Sequence, residues 1–169
     1  MCIRDRLYGL CIDEGLLTPK RTITDVPINY DGYAPENYDK RFNGYVTMEY
    51  ALEHSLNIPA VKSLKALGKD KLIQRLSQCD FREIDRDRKK LGLSMILGGC
   101  GATLEEMTGL YSIFANEGVY VRPRYTWGDS AAAPIVADVI TGPAGARGDS
   151  VKTVSYTHLD VYKRQVWRS

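Results

Sequence analysis

Only two of the 169 residues are histidine and four are cysteine, and no run of residues is long and uniformly apolar. Each scarcity removes a class of function. The four cysteines show no C-x-x-C spacing, which argues against a zinc site and against a disulfide framework. Cys11, Cys79 and Cys100 are expected to be small buried hydrophobes. No segment offers the roughly 20 apolar residues that a membrane span needs, and no secretory leader is visible. The formal net charge of +2 comes without a block of like charge, so no nucleic-acid partner is expected. The nearest approach to one, Arg86-Asp87-Arg88-Lys89-Lys90, is broken by an acid and reads as a solvated loop. No residue pattern calls for a metal or another cofactor. What remains, 44% hydrophobic and 26% charged, is the composition of one globular domain.

Helical periodicity is the clearest positive signal. Met48, Ala51, Leu52 and Leu56 recur at helical spacing behind Thr47, a good capping residue. A second series begins at Pro59, whose missing N–H would have been unpaired in a first turn anyway, and stops at Gly68. Ile58, directly before the proline, is expected outside the α region. The spacing predicts a third helix over Asp70 to Cys79, with Leu72, Ile73 and Leu76 on one face. Thr103-Leu104-Glu105-Glu106 has the form of a capping box. The helix it opens carries Leu104, Met107, Leu110, Tyr111 and Phe114 as a core stripe and ends before Gly118.

Elsewhere the pattern is less regular. Leu7 to Leu17 reads as a short apolar helix. Thr18 to Tyr45, rich in Tyr, Asn, Asp, Gly and Pro, reads as a long loop. Its Tyr30, Tyr33, Tyr38 and Tyr45 are expected to lie flat on the core with their hydroxyls exposed. Val119 to Trp127 suits a strand, Ala131 to Ile140 a helix, and Val151-Lys152-Thr153 the start of another strand.

Between the first two periodic segments stands Ser55-Leu56-Asn57. In an unbroken helix, residues two apart point to nearly opposite sides. At an extended break they can face one cleft. Simple capping would also account for a serine and an asparagine at a helix corner. His54 invites a Ser–His pairing with Ser55, but helix neighbours diverge by about 100°. No third group orients it, so it reads as solvent-facing. Lys62 and Lys65 read as a solvated helical face.

Three runs carry a resemblance: LYGLCIDEGLL (residues 7–17), DVPINYDGYAPENYDKRFNGYVTMEYALEHSLNIPAV (residues 25–61) and LGLSMILGGCGATLEEMTGLYSIFANEGVY (residues 91–120). In this order they resemble the transpeptidase domain of class A penicillin-binding proteins, most closely the 1C type. The implied fold is α+β, a fragment of a penicillin-binding-protein or serine β-lactamase-like domain that keeps mostly its helical lobe. Such enzymes carry S-x-x-K, S-x-N and K-T-G. Ser55-Leu56-Asn57 matches the second. No serine of this chain precedes a lysine by three positions, and Lys152-Thr153 is followed by Val154 rather than glycine. Residues 1–6 (MCIRDR) and 154–165 (VSYTHLDVYKRQ) resemble translated sequencing adapter, which leaves residues 7–153 as a partial domain and Val166 to Ser169 unassigned.

The resemblance implies acyl transfer on peptidoglycan stem peptides ending in D-alanyl-D-alanine, with β-lactams as mimics. Ser55 would join a Lys–Ser proton network and protonate the leaving amine. Asn57 would orient the lysine and hold the substrate peptide group. Lys152 and Thr153 would bind the terminal carboxylate, beside a strand that pairs with the substrate backbone. It also implies a membrane anchor and a glycosyltransferase domain upstream, and a place on the periplasmic face of the inner membrane. Without S-x-x-K the chain is expected to be inert. A non-catalytic domain that binds cell-wall peptide on the same fold is the alternative, and an unrelated helical domain with a chance S-x-N is a third.

Overall fold

A computed structural model describes residues 3–115 and residue 120. The strand and helix expected beyond Val119, and the Lys152-Thr153 pair, lie outside the described residues apart from Tyr120.

Helix α1 (Ile3–Asp13) is followed by β1 (Thr22–Asp25), β2 (Gly44–Thr47), α2 (Met48–Glu53), α3 (Asn57–Leu67), α4 (Lys69–Ser77), α5 (Arg82–Asp87), a 3₁₀ turn over Leu93–Leu97, and α6 (Leu104–Ala115). α3 is the hub, packing on α1, β1, α4 and the 3₁₀ turn. Ile58, Val61 and Leu64 on it are fully buried. Each such side chain contributes on the order of 1.5–3 kcal/mol of burial. Leu72, Ile73 and Leu76 of α4, as expected, join the same core, with Leu7, Tyr8 and Cys11 of α1.

Several local signals act as their chemistry dictates. The Thr47 hydroxyl accepts the Tyr50 N–H at 3.2 Å and caps α2. Gly68, at φ +91, ends α3 and starts α4. In the capping box, the Thr103 hydroxyl accepts the Glu106 N–H at 3.1 Å and Glu106 accepts the Thr103 N–H at 2.7 Å. Glu106 also accepts the Arg82 N–H at 2.7 Å, at the start of α5. Burial would push its carboxyl up, yet these backbone donors outweigh burial and hold it below the usual carboxylate range.

Other expectations are corrected. The loop from Thr18 to Tyr45 contains β1 and runs into β2, which pair antiparallel with Ile23 opposite Val46 and Asp25 opposite Gly44. Pairing across some 20 residues leaves no local signature. Tyr38 and Tyr45 are 103% and 81% exposed, whereas Tyr30 and Tyr33 do pack on the core. Tyr45 sits on the outward side of the two-stranded sheet, opposite to the side on which Val46 is buried. Leu104 is 85% exposed because it opens α6, ahead of the turn where Leu110 and Ile113 are buried. α1 begins at Ile3, so part of the adapter-like stretch is helical, and Arg6 within it is buried.

Cys11 and Cys79 are buried and Cys100 half-buried, all as free thiols. Burial pushes the Cys11 and Cys79 thiols up to about 12, which keeps them unreactive at neutral pH.

Candidate active site

The corner between α2 and α3 is built by a specific turn. The Ser55 N–H donates to the Leu52 carbonyl at 3.1 Å, and the Leu56 N–H reaches back to Ala51 at 2.9 Å. These two bonds define a Schellman ending, which needs a left-handed residue just past the helix. That residue is Ser55, at φ +50, a conformation that usually falls to glycine. Leu56 is then extended, at φ −64 and ψ 133. The break is thus left-handed at Ser55 and extended only at Leu56, a correction to the uniformly extended break expected from the sequence.

A second correction concerns the start of α3. The helix begins at Asn57, not Pro59, and Ile58 is helical. Proline at the third helical position still lies in the first turn, where no intrahelical N–H is lost. Tight burial of Ile58 overrides the steric preference of a residue before proline.

Ser55 is exposed and Asn57 half-buried. Both ends of the Asn57 amide have a partner: Nδ2 donates one hydrogen to the Glu36 carbonyl at 2.7 Å, and Oδ1 accepts from Arg4 Nη2 at 2.7 Å. Arg4, on the first turn of α1, also donates from Nη1 to the Ser55 carbonyl and from Nε to the Ile96 carbonyl at 3.4 Å. One guanidinium therefore bridges the backbone of Ser55 and the amide of Asn57. Burial pulls the Arg4 guanidinium down from its ordinary value, with Tyr8 acting the other way. Arginine stays charged regardless.

His54 is exposed, stacked on Tyr50 at 3.8 Å between ring centroids, with Nδ1 3.1 Å from the Tyr50 carbonyl. That position agrees with a solvent-facing residue. Lys62 departs from its expected role. It is half-buried, and its ammonium donates to the Thr24 carbonyl at 3.0 Å and to the Thr24 hydroxyl, tying α3 to β1. Desolvation lowers its pKa, partly offset by Asp25. Lys65 is exposed, but its ammonium lies 3.9 Å from the Tyr30 ring centroid.

Sequence reasoning missed three residues of this corner. Arg4 lies in the adapter-like stretch. Asp25 and Asn37 stand out in the sequence only as loop composition, although an Asp and an Asn bracketing a proline-containing run are the polar types able to anchor a long loop. Among the described residues no group of His, Cys, Asp and Glu is arranged to hold a metal, and no helix is long and apolar enough to cross a membrane.

Ser55, Asn57 and the Arg4 guanidinium of the neighbouring helix thus meet at one corner. The penicillin-binding protein transpeptidase domain matches residues 7–135, and the chain belongs to that family. It is 40% identical over 112 residues to penicillin-binding protein 1C of Escherichia coli, covering 66% of this chain and 14% of that protein. Penicillin-binding protein 1F of Bacillus subtilis is 31% identical over 119 residues, covering 69% and 16% respectively. The chain thus spans about a seventh of the length of these relatives. Penicillin-binding protein 1A of Haemophilus influenzae superposes with a TM-score of 0.63 at 27% identity, covering 72% of this chain and 18% of that one. The fold is accordingly the helical part of an α+β transpeptidase domain.

Proposed function

We propose that this chain is part of a peptidoglycan D,D-transpeptidase that cross-links stem peptides by serine acyl transfer, and that it is inert as the polypeptide written here. The observation that carries the reading is the corner itself. Ser55 holds a left-handed conformation that a serine adopts at a cost, and such strain persists where a side chain has work to do. Two residues on, the Asn57 amide receives a cation from the first turn of α1, as S-x-N receives the S-x-x-K lysine in the family. The cation here is Arg4, and three positions before it stands Met1, which has no nucleophilic oxygen.

In this reading Ser55 passes a proton to the leaving amine, and Asn57 orients the basic residue and holds the substrate's peptide group. Lys152 and Thr153 bind the terminal carboxylate. β-Lactams occupy the same place as mimics of the dipeptide. The whole protein would face the periplasm, anchored by a segment outside this sequence, with a glycosyltransferase domain of its own. The lack of S-x-x-K also favours a second reading, a domain that binds cell-wall peptide without turning it over.

The natural chain should take no covalent label from a fluorescent penicillin. Residues 7–115 placed in the frame of a relative that carries S-x-x-K and K-T-G should be labelled. Ser55→Ala or Asn57→Ala in that chimaera should slow labelling by about 10²–10⁴-fold. Undiminished labelling in both variants would sink the assignment, and stem-peptide binding without labelling would favour the second reading.

A further inference from the structure

α3 starts without a cap of its own. Its N-cap position is Leu56, which has no side-chain acceptor for the free amides of the first turn. The acceptor comes from far upstream. Asn37 Oδ1 accepts the Asn57 N–H at 2.9 Å and lies 3.4 Å from the Ile58 nitrogen.

What aims that oxygen is a buried carboxylate. Asp25, at the end of β1, is fully buried, and a carboxylate there needs several donors to be tolerated. It receives Asn37 Nδ2 at 2.8 and 2.9 Å on its two oxygens. Asn43 adds its backbone N–H at 3.0 Å and its Nδ2 at 2.7 Å. The second hydrogen of Asn37 Nδ2 goes to the Arg41 carbonyl at 2.8 Å. Flipping the Asn37 amide would turn its oxygen against the carboxylate and its donors against the helix amides, so only one orientation satisfies the network. The adjacent Glu36 carbonyl takes the Asn57 side chain. One short stretch of loop thus fixes both the backbone and the rotamer of Asn57.

We propose that Asn37, aimed by Asp25, is a positioning residue for the Ser55-x-Asn57 corner, a role that rests on the reading of that corner as catalytic. Asn37 touches no substrate. It acts by setting where α3 begins, and hence where the Asn57 amide projects.

Hydrogen–deuterium exchange on the full chain tests this. Asn37→Leu, close in volume, should raise exchange at Asn57 and Ile58 about tenfold relative to the amides of α4. The exchanged pair Asp25→Asn with Asn37→Asp keeps one charge in the pocket and an acceptor for both amides, and gives up only the bond to the Arg41 carbonyl. It should bring the two rates back to within about threefold of the natural chain. In the chimaera, Asn37→Leu should slow penicillin labelling and the exchanged pair should restore it. No change at Asn57 and Ile58 would overturn the proposal, as would an equal rise throughout α4. Raised local exchange with undiminished labelling would overturn it too. The underlying reading fails by a separate result, unaltered labelling in Ser55→Ala and Asn57→Ala.

Discussion

Helices α1 and α2 finish in the same hydrogen-bonded turn but place different residues in its left-handed position. At the end of α1 it is Gly15, at φ +68, with the Gly15 N–H on the Ile12 carbonyl at 2.9 Å and the Leu16 N–H on Cys11 at 2.8 Å. At the end of α2 the same two bonds surround Ser55. Glycine adopts this conformation freely, while a residue with a Cβ sacrifices roughly 1–2 kcal/mol. The electrostatics differ as well. The Arg4 guanidinium sits on the Ser55 carbonyl just past α2, a cation near a helix C-terminus, which is the favourable sign. The α1 end carries Asp13, a carboxyl whose ionised form has the unfavourable sign there. One end only turns the chain, and its residues suit that task. The other tolerates a strained serine beside a half-buried asparagine.

The contrast breaks most visibly at Ser55→Gly. In the chimaera this substitution should cost at least about a hundredfold in penicillin labelling, because the hydroxyl is gone. In the chain itself it should raise the unfolding free energy by about 1 kcal/mol, because the strain is gone. Chemical denaturation measures the second effect, and a loss of stability would show that the left-handed serine is not strained. Gly15→Ala should do the reverse, lowering stability by about 1–2 kcal/mol. Crowding would not be the cause, since an added Cβ at Gly15 meets nothing within 4 Å. Asp80, at φ +59, ends α4 in the same way, and aspartate visits the left-handed region more readily than serine. Asp80→Gly should therefore gain less than Ser55→Gly by the same measurement.

A further difference should appear as a pH slope. Burial pushes the Asp13 carboxyl up to about 7 from an ordinary value of 3.8, with Arg75 opposing and Glu14 adding to the shift. One oxygen, Oδ2, is buried without a hydrogen-bond partner among the described residues. Between those two values the folded state holds a proton that the unfolded chain has released. Stability from this group is therefore fully present near pH 4 and falls as pH rises towards 7. Asp13→Asn should leave Tm unchanged near pH 4 and raise it at pH 8. Equal shifts at both pH values would exclude titration of Asp13 as the cause.

The corner was legible in part, and the division follows the range of the interactions. Thr47, Gly68 and the Thr103–Glu106 box act within four residues of themselves, so their chemistry could be read directly. The S-x-N motif was legible through its resemblance to a family. The start of α3 was not, because Ile58 and Asn57 are helical through burial and through an acceptor 20 positions away. The same limit hid β1 and β2, the anchoring of Lys62 on Thr24, and the reach of Arg4 across 53 residues to Asn57.

Glu106 has a consequence for how the chain would respond to being cut. Its carboxylate gathers the amides of Thr103 and Arg82, which closes residues 82–106 into a ring fastened at one point. Arg88, Lys89 and Lys90 lie exposed on that ring. A protease that nicks there would sever a covalent bond without releasing either flank, because the 3₁₀ turn stays packed on α3 and Glu106 still joins the starts of α5 and α6. The two pieces should migrate together under native conditions and separate only in denaturant.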